Sequence, residues 1–330
     1  MRSQYLALLY CLLILLLSAC APRFIEPLPS RVSPSLEGNH FVSFDGARLP
    51  LRSWQPEKKV EAVIIALHGF NDYSRFISDA AVYFSTADIA VYAYDQRGFG
   101  EAPHRGRWPG REAFAADLQA FVQLIKARHR EIPVYLLGES MGAAVVLHSL
   151  ASFSLDVDGV ILSAPAVWGW GSMPWWQRWG LRLAAFTMPW SSFTGQSLGI
   201  IASDNREMLI ALGSDPLVIK ETRVDTIYGL VNLMQAGFDA VARLKVPALI
   251  LYGEQDQVIP KAAVLATFAP LVEGDMGHRM QLYQQGYHML LRDLQAKTVW
   301  SDIVSWIGNR DADLPSGKQG LSVTYGSVSP

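Results

Sequence analysis

The chain has 330 residues, half of them hydrophobic, and its formal net charge at pH 7 is −2. This length accommodates one large α/β domain with an insertion or two small domains, with enough apolar residues for a sizeable core. A near-neutral chain lacks the excess of positive charge that binds nucleic acid, so we exclude a nucleic-acid partner. The sequence has neither clustered metal-ligand spacing nor a phosphate-cradling glycine loop, so we expect no metal and no cofactor. No obligate protein partner is evident either.

The first twenty residues form a segment that we exclude from the fold. Arg2 precedes an almost wholly apolar run from Tyr5 to Leu17. The run is short for a membrane span, which needs about twenty residues, and it is typical of a signal-peptide core. It ends in Leu17-Ser18-Ala19-Cys20, which resembles a bacterial lipobox. We therefore predict a signal peptide over residues 1–19 and lipidation of Cys20, with secretion and a coincidental cysteine as the alternative.

The residues after the cysteine predict where the protein is held. Several acyl chains on Cys20 would give stable membrane anchoring. Ala21, rather than Asp, follows the cysteine, which resembles outer-membrane lipoproteins. We therefore expect a lipid-anchored protein of the bacterial cell envelope, at the outer membrane facing the periplasm. Residues 20–40, rich in Pro and Ser, predict a tether, and a hairpin over 41–51 opens the domain.

Two apolar runs near the start of the domain predict buried parallel strands. Residues 61–67 lead into His68-Gly69-Phe70, where we expect His68 to brace the loop rather than to act as a base. Residues 89–94 lead into a glycine-containing loop in which we expect Asp95 and Arg97 to form a structural ion pair. Both loops follow the carboxyl end of a strand, where α/β sheets bind ligands.

A third apolar run, residues 132–137, ends at Gly138-Glu139-Ser140-Met141-Gly142, and a helix-forming stretch follows at once. Ser140 is therefore predicted on a sharp strand-to-helix turn, the nucleophile elbow. Glycine at positions 138 and 142 removes side chains that would collide with neighbouring backbone. The helix N-terminus favours developing negative charge. A tight turn with an incidental serine is the alternative, since the pentapeptide alone is a weak signal.

Two later loops offer a carboxylate and a base. The strand predicted over residues 246–252 is followed by Asp256, which can reach a histidine in the next loop, and Glu254 is its competitor. Of the two late histidines, His278 precedes the last predicted strand and His288 follows it. Only His288 is therefore on the ligand-binding side of the sheet. The chain order Ser, Asp, His predicts a catalytic triad of Ser140, Asp256 and His288.

About eighty residues separate the strands near residues 160 and 246, which is far longer than a usual connection. We predict a cap over residues 166–240. A helix is expected to start near Ser172, with Trp175, Trp176 and Trp179 clustered on one face. This face would form a substrate-binding slot for an acyl chain over the nucleophile. The same tryptophans could instead lie at a lipid interface or pack the cap onto the core.

Together these motifs resemble the α/β-hydrolase superfamily and, more narrowly, its monoacylglycerol lipase and lysophospholipase group. The resemblance covers residues 41–308 and rests on His68-Gly69-Phe70, Asp95 to Gly100, the elbow, Asp215-Pro216-Leu217, Gly253 to Asp256 and Tyr287-His288. It implies an α/β fold, with a mostly parallel central sheet flanked by helices and an inserted helical cap. The core would comprise residues 41–165 and 241–308, followed by a disordered tail over 309–330. The resemblance also implies an oxyanion hole formed by the amides of Phe70 and Met141.

The resemblance further implies a carboxylic-ester hydrolase acting on a lipid ester. Single-chain lipids such as lysophospholipids or monoacylglycerols would be cleaved through an acyl-enzyme on Ser140. An acyltransferase or a peptidase on the same scaffold remains open. So does a non-catalytic envelope lipoprotein that binds lipid, although an intact triad argues against it.

Overall fold

The computed structural model describes residues 21–195, 199–274 and 276–317. Residues 1–20, with the predicted signal peptide and Cys20, lie outside the described residues, as does the predicted tail from residue 318. Within the described chain, one nine-stranded sheet carries helices on both faces. No helix in these ranges is both long enough and apolar enough to span a bilayer.

The described strands are short, and five of the eleven are buried from end to end. They are β1 (Ser35–Glu37), β2 (His40–Val42), β3 (Arg48–Trp54), β4 (Ala62–Leu67), β5 (Ile89–Tyr94), β6 (Val134–Glu139), β7 (Gly159–Ser163), β8 (Ser192–Thr194), β9 (Glu221–Arg223), β10 (Ala248–Gly253) and β11 (Arg279–Tyr283). The large sheet has the order β1-β2-β3-β5-β4-β6-β7-β10-β11, and β8 pairs with β9 separately. Pairs from β1 to β5 are antiparallel, and pairs from β5 to β11 are parallel. This is the mostly parallel sheet that the sequence predicts.

Eight described helices surround the sheet. They are α1 (Ser78–Thr86), α2 (Arg111–Arg128), α3 (Met141–Ser152), α4 (Trp175–Thr187), α5 (Arg206–Ser214), α6 (Val224–Val241), α7 (Lys261–Val272) and α8 (Ala296–Gly308). Apolar side chains of α1 and α8 pack on one face of the sheet, and those of α2, α3 and α7 pack on the other. The strands are apolar on both faces because both faces are covered.

The register of the parallel strands aligns their carboxyl ends. Leu67 lies opposite Gly138, Glu139 opposite Ser163, and Gly253 opposite Tyr283. The loops that follow these strands therefore emerge at one edge of the sheet, where ligands bind in such folds.

The insertion between β7 and β10 contains α4, β8, α5, β9 and α6 and corresponds to the predicted cap. Its longest helix, α6, packs directly on α3, the helix that begins after Ser140. A methyl group added at Gly237 of α6 would lie 3.2 Å from Ala144 of α3. The insertion is thus joined to the helix whose N-terminus carries the predicted nucleophile.

The predicted tether is not an isolated linker. The Ile25 amide donates to Trp108 O over 2.8 Å, the Arg31 amide donates to Phe44 O over 2.8 Å, and β1 already begins at Ser35. The prediction of a tether extending to residue 40 is therefore wrong from about Ile25 onward. Its Pro- and Ser-rich composition did not reveal these contacts, because they join segments far apart in sequence.

The predicted disordered tail is likewise wrong for residues 309–317. Arg310 Nη2 donates to Asp158 O over 2.6 Å, the Ser316 amide donates to Asp302 Oδ1 over 2.9 Å, and Leu314 is buried. The buried Leu314 and hydrogen bonds to residues of other elements hold this polar segment on the core, which local composition does not indicate.

Candidate active site

Ser140 lies on a strained turn between β6 and α3. Its backbone angles are φ 53° and ψ −112°, in the region that residues with a side chain rarely adopt. A methyl group at Gly138 would lie 2.5 Å from Ala143 N, and one at Gly142 would lie 2.2 Å from Leu67 O. Glycine is therefore required on both sides, for the reason that the sequence predicts. The turn projects Ser140 toward the edge where the parallel strands end.

Asp256 and His288 are brought together from the loops after β10 and β11. Asp256 Oδ2 lies 2.8 Å from His288 Nδ1, and both side chains are buried. The other oxygen, Oδ1, accepts from the amides of Val258 over 2.7 Å and Ile259 over 3.0 Å. The carboxylate therefore has a fixed orientation and accepts the Nδ1 proton, which leaves Nε2 available as an acceptor.

Glu254 and His278, the two competing residues, do not join Asp256 and His288 in one site. Glu254 forms an ion pair with Lys261. His278 precedes β11 and so lies at the opposite end of the sheet from His288. The geometry therefore favours Asp256 and His288 over both alternatives.

Phe70 lies in the loop after β4, and Met141 directly follows Ser140. Met141 is the first residue of α3, and a first-turn amide has no partner within its helix. A methyl group on Gly69 would lie 3.5 Å from Ser140 Cβ, so the backbone that leads to Phe70 passes beside the nucleophile. Within the described residues, neither amide donates a hydrogen bond to a protein acceptor. The two donors are thus available to a ligand oxygen.

His68 holds the loop that carries one of these amides. Its Nε2 accepts from the Gln96 amide over 3.0 Å, and its Nδ1 lies 2.8 Å from Gly69 O. Because Nε2 accepts from an amide and Nδ1 faces a carbonyl oxygen, the ring is neutral with its proton on Nδ1; burial lowers the pKa of His68, which favours this neutral form. The predicted bracing role is confirmed by these bonds.

A cavity of about 560 Å³ opens at the serine and extends beneath the insertion. Ser140 and His288 both line it. Its wall is otherwise mainly apolar and comprises Phe70, Ala166, Trp168, Met173, Ile200, Ala202, Ile227, Leu230, Val231, Met234, Val258, Ile259 and Met289. Among the described residues, no cluster of three or more His, Cys, Asp or Glu side chains offers a metal site. The arrangement is suited to an apolar ligand with a reactive group at the serine.

Trp175, Trp176 and Trp179 do not line this cavity, so their prediction as its wall is wrong. Their exposed fractions are 68%, 60% and 64%, and the only buried residue of α4 is Ala185. The side of the helix that carries Ala185 is turned toward the molecule, and the three tryptophans point outward. Packing of these three side chains onto the core is excluded for the same reason.

The apolar wall comes instead from α6, which sequence reasoning missed. Ile227, Leu230, Val231 and Met234 have the i, i+3, i+4, i+7 spacing of one helix face. That periodicity was a usable signal. The tryptophans of α4 give a stronger apolar pattern than the aliphatic face of α6, and they predict the wrong helix as the wall.

The predicted ion pair between Asp95 and Arg97 is also wrong. Arg97 pairs with Asp45 over 2.8 Å and with Asp117 over 2.6 Å. Asp95 instead accepts from the amide of Ser74 over 2.9 Å. Two residues apart on a tight loop, the two side chains diverge, and each finds a partner from another element.

Comparison with known proteins places this geometry in a family. Residues 58–295 match the family model described as serine aminopeptidase, S33. The chain is 27% identical over 281 residues to the monoglyceride lipase of Rattus norvegicus, covering 83% of this chain and 91% of the relative. It is 24% identical over 278 residues to the monoacylglycerol lipase of Mycolicibacterium smegmatis, covering 84% of this chain and 98% of the relative.

A solved structure supports the fold. A soluble variant of monoglyceride lipase from Saccharomyces cerevisiae, in complex with a substrate analog, superimposes with a TM-score of 0.69. The superposition covers 88% of this chain and 98% of the yeast chain at 18% identity. The chain therefore belongs to the serine aminopeptidase S33 family: it is an α/β-hydrolase of the monoacylglycerol lipase-like group and, with it, a carboxylic-ester hydrolase.

Proposed function

We propose that this protein hydrolyses carboxylic esters of single-chain lipids, of the monoacylglycerol or lysophospholipid type, through an acyl-enzyme on Ser140. One observation carries the proposal: the hydrogen-bonded pair of Asp256 and His288 opens, together with Ser140, on one largely apolar cavity. The similarity to a monoglyceride lipase and to a monoacylglycerol lipase supports the substrate class.

In the first half-reaction, the Ser140 hydroxyl attacks the ester carbonyl while His288 Nε2 takes its proton. The carbonyl oxygen becomes an oxyanion, which the Phe70 and Met141 amides stabilise. His288 then protonates the leaving alcohol, and the acyl group remains on Ser140 as an ester. Asp256 keeps the imidazole in the tautomer that accepts at Nε2 and stabilises the imidazolium as it forms.

In the second half-reaction, His288 removes a proton from water, and the hydroxide attacks the acyl-enzyme carbonyl. Collapse of the second tetrahedral intermediate returns the proton to Ser140 and releases the fatty acid. The apolar wall supports a fatty acyl chain, since each buried methylene contributes about 0.8 kcal/mol.

The family description raises a peptidase as an alternative. An aminopeptidase requires a carboxylate that is available to the substrate α-ammonium group. Two carboxylates, Asp72 and Glu139, line the described cavity, and both pair with Arg292. These pairings favour the ester substrate over a peptide.

Turnover of a lipid panel tests the proposal. We expect hydrolysis of monoacylglycerols and lysophospholipids with an optimum in acyl length, and no turnover by Ser140→Ala at parental thermal stability. Addition of an alcohol acceptor separates hydrolysis from acyl transfer, because the acyl-enzyme is common to both. Hydrolysis of aminoacyl-p-nitroanilides without ester cleavage would contradict the assignment.

We propose further that Cys20 carries the lipid that anchors the protein to the bacterial envelope, facing the periplasm. The lipobox-like sequence supports this proposal, and the outward tryptophans of α4 are compatible with a lipid interface. Metabolic labelling with an alkyne fatty acid should mark the parent protein and the matched Cys11→Ser variant. Labelling of Cys20→Ser to the parental level would contradict it.

A further inference from the structure

A buried ion-pair cluster lies beside the reacting groups and has no role in the mechanism above. Arg292 Nη1 lies 2.7 Å from Asp72 Oδ2, and Arg292 Nη2 donates to Glu139 Oε1 over 2.7 Å. The three side chains are 9%, 7% and 3% exposed, respectively. All three line the catalytic cavity.

The members of this Asp72–Glu139–Arg292 cluster are spread over the three loops that carry the reacting groups. Glu139 directly precedes the nucleophile. Asp72 lies two residues beyond the first oxyanion amide, and Arg292 lies four residues beyond the base. One guanidinium therefore connects the nucleophile turn, the oxyanion loop and the histidine loop.

The loop that carries Arg292 is itself fixed. The Arg292 amide donates to Met289 O over 2.8 Å, and its carbonyl accepts from Asn205 Nδ2 over 2.9 Å. On the opposite side, the Tyr73 amide donates to Asp72 Oδ1 over 2.8 Å, which orients that carboxylate. The Arg292 guanidinium therefore joins a loop whose backbone is fixed to a carboxylate whose orientation is fixed.

Stability alone does not account for such a cluster. Desolvation of buried charges largely offsets their attraction, and apolar residues of similar volume often replace them without loss. Burial raises the pKa of Glu139, Arg292 opposes this effect, and Asp72 adds to it. The planar fork of an arginine supplies instead a defined geometry between two carboxylates.

We propose that Arg292 is a positioning residue that holds the oxyanion loop and the nucleophile turn at the spacing required for transition-state stabilisation. This inference rests on the proposed function, because it assigns a role in that reaction. The two amides stabilise an oxyanion only at hydrogen-bond distance, and a displacement of about 1 Å costs on the order of 100-fold in rate. Substrate binding in the acyl cavity depends much less on this spacing.

Arg292→Lys tests the proposal in the purified protein. Lysine keeps the charge but lacks the fork that holds two carboxylates in one plane. With a p-nitrophenyl butyrate substrate, we expect kcat to fall roughly 10- to 100-fold while KM stays within about twofold of the parent. The Ki of an alkyl boronic acid, which forms a tetrahedral adduct with the serine, should rise by the same factor as kcat falls. Glu139→Gln removes one charge with little change in shape, and it should show the same pattern if Arg292→Lys does not fold.

Arg97→Lys is the matched control. Arg97 is a second buried arginine between two carboxylates, Asp45 and Asp117, on elements outside the three loops. This variant should lose thermal stability but keep the parental ratio of boronate Ki to KM. Folded Arg292→Lys and Glu139→Gln proteins with parental kcat and Ki would overturn the positioning role and leave the proposed function intact. An equal loss in Arg97→Lys would also overturn it, whereas a parent protein without turnover would overturn both proposals.

Discussion

At the scale of single residues, backbone crowding and strand direction determine which side chains can form the site. A glycine on each side of Ser140 follows from the tightness of the turn, and the added methyl groups collide with backbone as the sequence predicts. His288 follows β11 and His278 precedes it, so strand direction alone separates the two. The Asp72–Glu139–Arg292 cluster could not be predicted, because its partners are 67, 153 and 220 residues apart in the chain (139 − 72, 292 − 139 and 292 − 72).

Asp256→Asn should lower kcat by about 10⁴-fold, the scale of loss expected when the base has the wrong tautomer. The amides of Val258 and Ile259 both donate to Oδ1, so the asparagine must turn its oxygen toward them. Its NH₂ group then faces His288 Nδ1, which must be unprotonated to accept. The proton moves to Nε2, which can no longer take the serine proton.

Steady-state kinetics with a soluble ester measures this loss. Glu254→Gln is the control, because Glu254 pairs with Lys261 rather than with the histidine. We expect its kcat within about threefold of the parent, the range of a surface ion pair. Parental activity of Asp256→Asn would contradict the role of Asp256 in fixing the His288 tautomer.

At the scale of elements, periodicity predicts the helix but not the direction that its apolar face takes. The tryptophans of α4 are exposed, whereas Ala185 of the same helix is buried. The apolar face of α6 forms the cavity wall instead. Both helices have an apolar face, and only packing decides which one covers the serine.

Leu230→Trp should shorten the preferred acyl chain. Leu230 lines the cavity on α6, and a larger ring there fills space that the distal methylenes would occupy. We expect kcat/KM for a long-chain p-nitrophenyl ester to fall by roughly tenfold or more, with the acetate ester nearly unchanged. Phe238→Trp on the same helix is the control, because Phe238 is 41% exposed and does not line the cavity. An unchanged chain-length profile in Leu230→Trp would exclude the cavity as the acyl site.

At the scale of the whole molecule, the mostly parallel sheet and the position of the insertion follow from the sequence, whereas the ends of the domain do not. Segments near Ile25 and Leu314 pack on the core through contacts distant in the chain. The insertion is also joined to the histidine loop. Asp293 accepts from Ser203 Oγ over 2.6 Å and from the Tyr287 amide over 2.7 Å.

The burial of Asp293 between the insertion and the histidine loop predicts a pH dependence of stability. Burial raises the pKa of Asp293 to about 6, because its effect is larger than that of the two hydrogen bonds, which lower the pKa. The folded state therefore binds this proton more tightly than the unfolded state, where the pKa is about 3.9. The contribution of Asp293 to stability is present below that lower pKa and is lost as pH rises through about 6.

Urea unfolding of the parent and Asp293→Asn measures this contribution, because other titrating groups are common to both proteins. The free energy of unfolding of the variant, relative to the parent, should increase from about pH 4 to about pH 7. A difference that is constant across this range would show that Asp293 has an ordinary pKa in the folded protein.

Labelling with a fluorophosphonate probe tests whether Ser140 is an activated nucleophile. The protein that starts after Cys20 and its Ser140→Ala variant would be labelled in parallel, and the modified peptide identified by mass spectrometry. We expect one probe per chain, attached to Ser140, and no labelling of the variant. A folded parent protein that takes up no probe, or takes it up at another residue, would exclude Ser140 as the nucleophile.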